Sequence, residues 1–236
     1  MLMRAFAIAV FMCLTRVAAA ETVTPLLVEL FTAQGCPSCP QADEVLTHLA
    51  KRDDIVALAF HVDYWDNTGW RDRFALPEAK TRQNGYRRAF RHQQVFTPQM
   101  VINGTVDTPG QALEGVDKIL SLIRARTPQG PVLTMGRDSA TMLDVSIGAA
   151  PAWDDAVVWM ATFDRTHTVD IKRGKNRGKT VTNVNIVREL RNLGPYSGQL
   201  WKKTIDVTAV PPEQGIAVWL QPKDQGPVAS AAFLAD

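Results

Sequence analysis

"PLLVELFTAQGCPSCPQADEVLTHLAKR", residues 25–52, sets the fold. Its first part, "PLLVELFTA" (25–33), is a continuous apolar run closed by a glycine turn, which reads as a strand buried on both faces. From Cys36 the pattern changes. "CPSCPQADEVLTHLAKR" (36–52) carries Val45, Leu46 and Leu49 at helical spacing and predicts a helix. Cys36 and Cys39 sit three apart at the junction, and Cys13 is the only other cysteine in the chain.

The same alternation continues downstream. "IVALAFHVDYW" (55–65) is a second apolar strand, and "LPEAKTRQNGYRRAFRHQ" (76–93) is helical, with Pro77 suited to a first turn. "TPQMVING" (97–104) is a short strand ending in a turn signal. "ALEGVDKILSLIRAR" (112–126) puts Val116, Ile119, Leu120 and Ile123 on one helical face. Strands alternating with helices indicate an α/β sheet covered on both sides. After "TPQGP" (127–131) the runs "TMLDVSIGA", "DAVVWMATFD", "TVTNVNIVREL", "GQLWKKTIDVTA" and "GIAVWLQPK" are strand-like and divided by Gly, Pro and Asp turns. That spacing predicts a mainly antiparallel β-sandwich. The expected division is a first domain over 21–129 and a β-sandwich domain over 130–236.

Residues 1–20 have the three parts of a secretory signal peptide: Arg4, the apolar Ala5–Leu14, and Ala18-Ala19-Ala20 as a cleavage site. Bulky Met12 before Cys13 argues against lipidation there. The apolar run is too short to span a bilayer, and no later run reaches the roughly 20 residues required. The expectation is therefore a periplasmic or secreted protein with no membrane span. Cleavage removes Arg4 and Arg16, which lowers the 26 basic residues to the number of acids, 24. A neutral chain is not built to coat nucleic acid.

Export bears on the cysteine pair, because disulfides persist outside the cytosol. As a staple the pair closes a four-residue loop, worth roughly 2 kcal/mol in the entropic model. A structural zinc site needs four ligands, and His48, His61, His92 and His167 show no paired spacing. As a redox pair it has a mechanism. A Cys36 placed at a helix start meets unpaired backbone N–H groups and the positive end of the helix dipole, which favour the reactive thiolate. Cys39, one turn later, is placed to close the disulfide. Two rival readings stay open: a non-catalytic binding module with a structural disulfide, and a periplasmic copper-handling protein that uses the same two cysteines.

"GCPSC" at a strand–helix junction, with "FTPQMVING" about sixty residues on, resembles the thioredoxin superfamily. "PQMVING" is similar to the strand that follows the cis-proline of glutaredoxins, and Pro37 after the first cysteine is shared with glutaredoxins and DsbA-type oxidases. Together with "FHVDYWDNTGW" and "RGKNRGKTVTNVNIVREL", these stretches resemble an exported bacterial thioredoxin-like family, domain of unknown function 1223, over nearly the whole mature chain. The resemblance implies a thioredoxin-like first domain and a cis Thr97–Pro98 bond facing the cysteines. It assigns Cys36, Cys39 and Pro98 to catalysis, and Thr97, Gly35 and Pro37 to substrate contact. Thioredoxins also keep a buried acid beneath their cysteines as a proton relay, at nearly the place of Glu29. The chain departs from thioredoxin in carrying Gly35 where thioredoxin has Trp. It also lacks the glutathione-binding stretch of glutaredoxins at "TVDTPGQ".

Read from the residues alone, Glu29 in "LLVELF" is a costly buried carboxylate unless used or paired. It is either such a relay or an acid paired with a basic side chain. His61, Asp63 and Asp66 lie at the carboxyl end of the second strand, where open α/β sheets present their sites. Two readings stay open: groups that shift the Cys36 pKa or bind substrate, and the favoured one, an ordinary polar rim with Trp65 and Trp70 as packing. "KRGKNRGK" (172–179), with five basic residues, reads as a solvated hairpin loop between strands, with an anionic ligand as the weaker alternative. The resulting expectation is an exported thiol–disulfide oxidoreductase-like protein with no cofactor and no metal. It would act on protein thiols or disulfides in the cell envelope with an unspecified redox partner.

Overall fold

The computed structural model describes residues 24–126 and 130–234. The expected leader lies outside them. Leu26–Thr32 forms β1 and Ile55–His61 forms β2, paired parallel with Leu26 opposite Ile55 and Thr32 opposite His61. Every residue of both strands is buried, as continuous apolar runs require of a sheet covered on two sides. β3 (Gln99–Ile102) runs antiparallel to β1, and β4 (Val106–Thr108) to β3. Three helices accompany them: α1 (Cys39–Leu49), α2 (Pro77–Ala89) and α3 (Leu113–Arg126). Pro77 opens α2, where its missing N–H costs nothing.

The C-terminal half is built of β5 (Leu133–Arg137), β6 (Met142–Ile147), β7 (Ala156–Asp170), β8 (Thr180–Tyr196), β9 (Trp201–Asp206), β10 (Gly215–Pro222) and β11 (Ser230–Leu234). Four of these strands extend the first sheet, giving the order β11-β10-β7-β8-β2-β1-β3-β4. β5, β6 and β9 form a separate antiparallel sheet of three. The fold is thus a thioredoxin-like α/β half followed by a smaller antiparallel, sandwich-like segment. The junction is narrow. β8 meets β2 in parallel at Ala59 and Ile186, and Asn185 Nδ2 donates to the Ala57 carbonyl at 2.9 Å. The chain also closes on itself beyond the sheet. Val228 N donates to Asn103 O at 2.9 Å, while Asn103 N donates to Leu27 O at 2.7 Å.

Strand alternation sorts the core into layers. Leu27 and Phe31 of β1, Leu58 and Phe60 of β2, and Ala217 and Trp219 of β10 share a cluster with Ala79 and Tyr86 of α2. Val28 and Leu30 face the other way, onto Leu46 and Leu49 of α1 and Leu120 and Ile123 of α3. On the C-terminal half that second face meets the small sheet. There Val158, Met160, Ile216 and Val218 pack on Leu143, Val145, Ile147 and Ile205.

Candidate functional site

The turn between β1 and α1 carries the cysteines. Cys36 N donates to Ala33 O at 3.0 Å, and Cys39 N meets Cys36 O at 3.4 Å. The helix itself begins at Cys39, with Ser38 as its cap residue. This corrects the expectation that Cys36 starts the helix. Pro37 and Pro40 favour a tight turn ahead of the first full helical turn. Cys36 therefore stands just before the helix and faces its positive end rather than forming it. Cys36 and Cys39 form a disulfide with their Cα atoms 5.4 Å apart. Both are fully buried, whereas Pro37 and Ser38 between them are exposed. Cys36 Sγ lies 3.6 Å from Ser38 Oγ, so its sulfur is adjacent to the exposed part of the turn.

The Thr97–Pro98 bond is cis. Trp65 joins its loop to the cysteine turn. Trp65 Nε1 donates to Thr97 Oγ1 at 2.7 Å, and a Cβ placed on Gly35 would come within 3.0 Å of Trp65 Cβ. A glycine before Cys36 is thus what lets the tryptophan approach. Trp65 and Trp70 pack as expected, and both also donate. Trp70 Nε1 reaches Gln34 Oε1 at 2.9 Å.

Glu29 is buried on the α2 face of the sheet and paired. Arg82 Nε contacts Oε1, Arg82 Nη2 reaches Oε2 at 2.9 Å, and the Tyr86 hydroxyl donates to Oε2. Gln221 completes the network, accepting from Arg82 Nη2 at 2.8 Å and donating to the Tyr86 oxygen at 3.0 Å. Of the two roles open to Glu29, the structure displays the paired acid.

A second polar cluster lies at the carboxyl ends of β1 and β2. His61 Nδ1 is 2.7 Å from Asp72 Oδ2, which also accepts from the Gln34 amide at 2.8 Å. Burial works against the Asp72 charge, but His61 and the amides of Gln34 and Phe74 outweigh it and hold the carboxyl below its usual range. Asp43, on α1, shares this cluster with His61, Thr32 and Asn183. Its burial pushes it up to about 7. Asp43 is one helical turn beyond Cys39, and helical side chains lean toward the N-terminus, so it stands on the cysteine side of the cluster. Asp63 is apart from this group, half-exposed and paired with Lys80 at 3.2 Å. Asp66 accepts from the Asp72 amide at 3.0 Å. The expected polar rim at His61 is in fact buried.

The largest surprise comes from the loop between β7 and β8. Its cations are exposed as expected, but Asn176 is 1% exposed. Asn176 Nδ2 donates to Gln34 O at 2.8 Å and to Cys36 O at 2.7 Å, placing the loop on the cysteine turn. No local pattern could have shown this, since the partners lie 140 and 142 residues away. Asp43 did leave a trace. It interrupts the apolar face made by Cys39, Ala42, Leu46 and Leu49.

A strand–turn–helix with a Cys-x-x-Cys disulfide, joined through Trp65 to a cis-proline loop, defines a thioredoxin-like protein with a closely spaced cysteine pair consistent with a redox-active site. The chain belongs to the family described as protein of unknown function DUF1223, whose model matches residues 27–221. It is similar to the crystal structure of protein AGR_C_4864 from Agrobacterium tumefaciens, with 30% identity, a TM-score of 0.79, and coverage of 92% of this chain and 96% of that one. HBP35 of Porphyromonas gingivalis shares the fold at 11% identity and a TM-score of 0.57, over 90% of this chain and 75% of that one. No curated protein matches the chain.

Proposed function

We propose that this protein is an exported thiol–disulfide oxidoreductase acting on protein thiols or disulfides in the periplasm or outside the cell. The observation that carries the reading is the Cys36–Cys39 disulfide at the β1–α1 turn, tied through Trp65 to the cis-proline loop. From the oxidised state, a substrate thiolate attacks Cys36 Sγ. The Cys36–Cys39 bond breaks, and Cys39 leaves as a thiolate. A second substrate thiolate then attacks the substrate sulfur of the mixed disulfide and releases Cys36. The substrate gains a disulfide, and the protein takes up two electrons. The reverse sequence reduces a substrate disulfide. A carboxyl that titrates at about 7 one turn beyond Cys39 is suited to pass a proton to or from that thiol, which makes Asp43 a better relay than the paired Glu29.

The binding-module reading draws support from the burial of both sulfurs. The copper reading needs further ligands. Among the described residues no group of three His, Cys, Asp or Glu side chains is arranged to hold a metal. Cys39→Ala separates the readings, because it removes the internal resolving thiol. Expressed in its native envelope, the variant is expected to accumulate reducible, higher-mass adducts through Cys36, and Cys36→Ala/Cys39→Ala to accumulate none. Free or glutathione-capped protein alone would count against protein disulfide exchange.

A further inference from the structure

The β7–β8 hairpin ends in a nine-residue tip, residues 171–179, that leaves the main sheet. The tip is closed by Gly178 N on Ile171 O at 2.8 Å and Ile171 N on Lys179 O at 2.9 Å. It rests on two places. Gly174, at φ +75, is so close to the 68–70 segment that an added Cβ would lie 3.0 Å from Trp70 Cβ and 3.3 Å from Thr68 O. Asn176 spends both Nδ2 hydrogens on the carbonyls of Gln34 and Cys36. At its base Ile171 is buried with Phe74 and Ile186, and the remaining side chains of the tip face solvent and are cationic. Lys172 pairs with Asp170 at 3.1 Å. Arg173, Lys175, Arg177 and Lys179 are exposed and have no carboxylate partner among the described residues. Beside them, Arg71 and Arg73 are exposed too.

Two facts need a common explanation. The disulfide is fully buried, so a partner's sulfur cannot reach it in this conformation. The element held on its turn carries four unpaired cations, on a chain whose mature charge is balanced. We propose that the hairpin tip is a substrate-operated cap: an acidic segment beside the partner protein's cysteine engages Arg173, Lys175, Arg177 and Lys179, withdraws Asn176 from the cysteine turn, and exposes Cys36 Sγ. This rests on the disulfide-exchange reading and names its substrate class. The hold of Asn176 on the cysteine turn is two neutral hydrogen bonds, each of modest net value, and several charge pairs formed together can match it. Opposite charge also steers the partner to the site, an effect that salt weakens. Once the cap is off, the partner thiolate attacks Cys36 Sγ and Cys39 leaves as its thiolate, as above.

The test uses the oxidised full chain and two cysteine peptides of equal length, one flanked by Glu and Asp, the other by Lys and Arg. Mixed-disulfide formation at Cys36 is followed by mass spectrometry at low salt and at high salt. The acidic peptide is expected to react at least tenfold faster at low salt, with the advantage collapsing at high salt. Lys175→Glu/Arg177→Glu, confined to exposed residues, should invert the order of the two peptides. Asn176→Ala should accelerate both and shrink the ratio, because the anchor is already gone. Equal rates for the two peptides in the unaltered protein overturn the cap's selectivity while leaving exchange intact. Binding of the tip to phosphatidylglycerol vesicles with no peptide preference makes it a lipid contact and also overturns the proposal. If neither peptide nor dithiothreitol reacts with the unaltered protein or with Asn176→Ala, the failure lies in the exchange reading itself.

Discussion

Two groups of buried charge sit on opposite faces of the main sheet. On the α2 face, Glu29, Arg82, Tyr86 and Gln221 form a closed network in which each member bonds at least two others or the backbone. Arg82 is further enclosed by the rings of Phe60, Tyr86, Trp159 and Trp219, the last 5.0 Å from its guanidinium. On the α1 face, Asp43, His61 and Asp72 form an open cluster. His61 Nε2 has no hydrogen-bond partner among the described residues. Burial raises Asp43, whereas partners lower Asp72. A charge surrounded by fixed partners keeps its protonation state and holds the structure in place. A charge with incomplete partners can change state near neutral pH, and Asp43, one helical turn beyond Cys39, is such a group.

The comparison breaks most forcefully at Arg82. Arg82→Met leaves the Glu29 carboxylate buried beside Tyr86 without its cation. Removing one partner of a buried pair costs about 3–5 kcal/mol, and urea unfolding at pH 7 should show it. Glu29→Leu/Arg82→Met removes both charges and should recover most of the loss. If the double variant is as unstable as the single one, the network owes its value to something other than charge pairing.

The open cluster should respond to pH instead. A carboxyl whose folded-state value is raised holds its proton further up the pH scale in the folded chain than in the unfolded one. Folding stability therefore falls as pH climbs from about 4 to about 7, and stays at the lower level above that. Raising Asp43 to about 7 corresponds to roughly 4 kcal/mol across that window. Asp43→Asn abolishes this dependence. Relative to the unaltered protein it should gain stability by about 2–4 kcal/mol between pH 4 and pH 8, measured by urea unfolding at each pH. A difference constant with pH would mean that Asp43 does not titrate there.

The sequence made the two halves of this comparison unequally visible. β1, β2 and the three helices were legible because apolar runs and helical periodicity are local signals. The cysteine pair and Pro98 were legible because their spacing has a chemical use. β4, β5 and β11 were not anticipated. β4 is three residues long, and β5 reads Leu-Thr-Met-Gly-Arg with no clean alternation. Nor could the strands reveal that β8 would dock on β2, since a strand's own pattern states its buried faces and not its neighbour. Glu29 stood out as a charge in an apolar strand, but its partners Arg82 and Tyr86 lie 53 and 57 residues on, and only folding brings them together. Asp43, one helical turn beyond Cys39, leaves only a break in the apolar face of α1, because in a helix an acid next to Glu44 looks like a solvated face.

The finest difference between the two regions is redundancy, and Tyr86 tests it. The Tyr86 hydroxyl bonds Glu29, Arg82 and Gln221, which suggests a large loss in Tyr86→Phe. Each partner, however, keeps another bond. Glu29 Oε2 retains Arg82 Nη2 at 2.9 Å, Gln221 Nε2 retains the Gly226 carbonyl at 2.9 Å, and Arg82 Nη2 retains Gln221 Oε1 at 2.8 Å. No buried polar atom is left wholly unpaired, so the cost should be that of ordinary hydrogen bonds, about 1–1.5 kcal/mol. It should also be the same at pH 6 and pH 8, because burial pushes the Tyr86 hydroxyl far above that range, where it stays protonated. Urea unfolding at the two pH values measures both quantities. A loss above about 3 kcal/mol would show that the network is not redundant. A loss that changes between pH 6 and pH 8 would show that this face also titrates, and the distinction between a fixed and a switchable side of the sheet would fall.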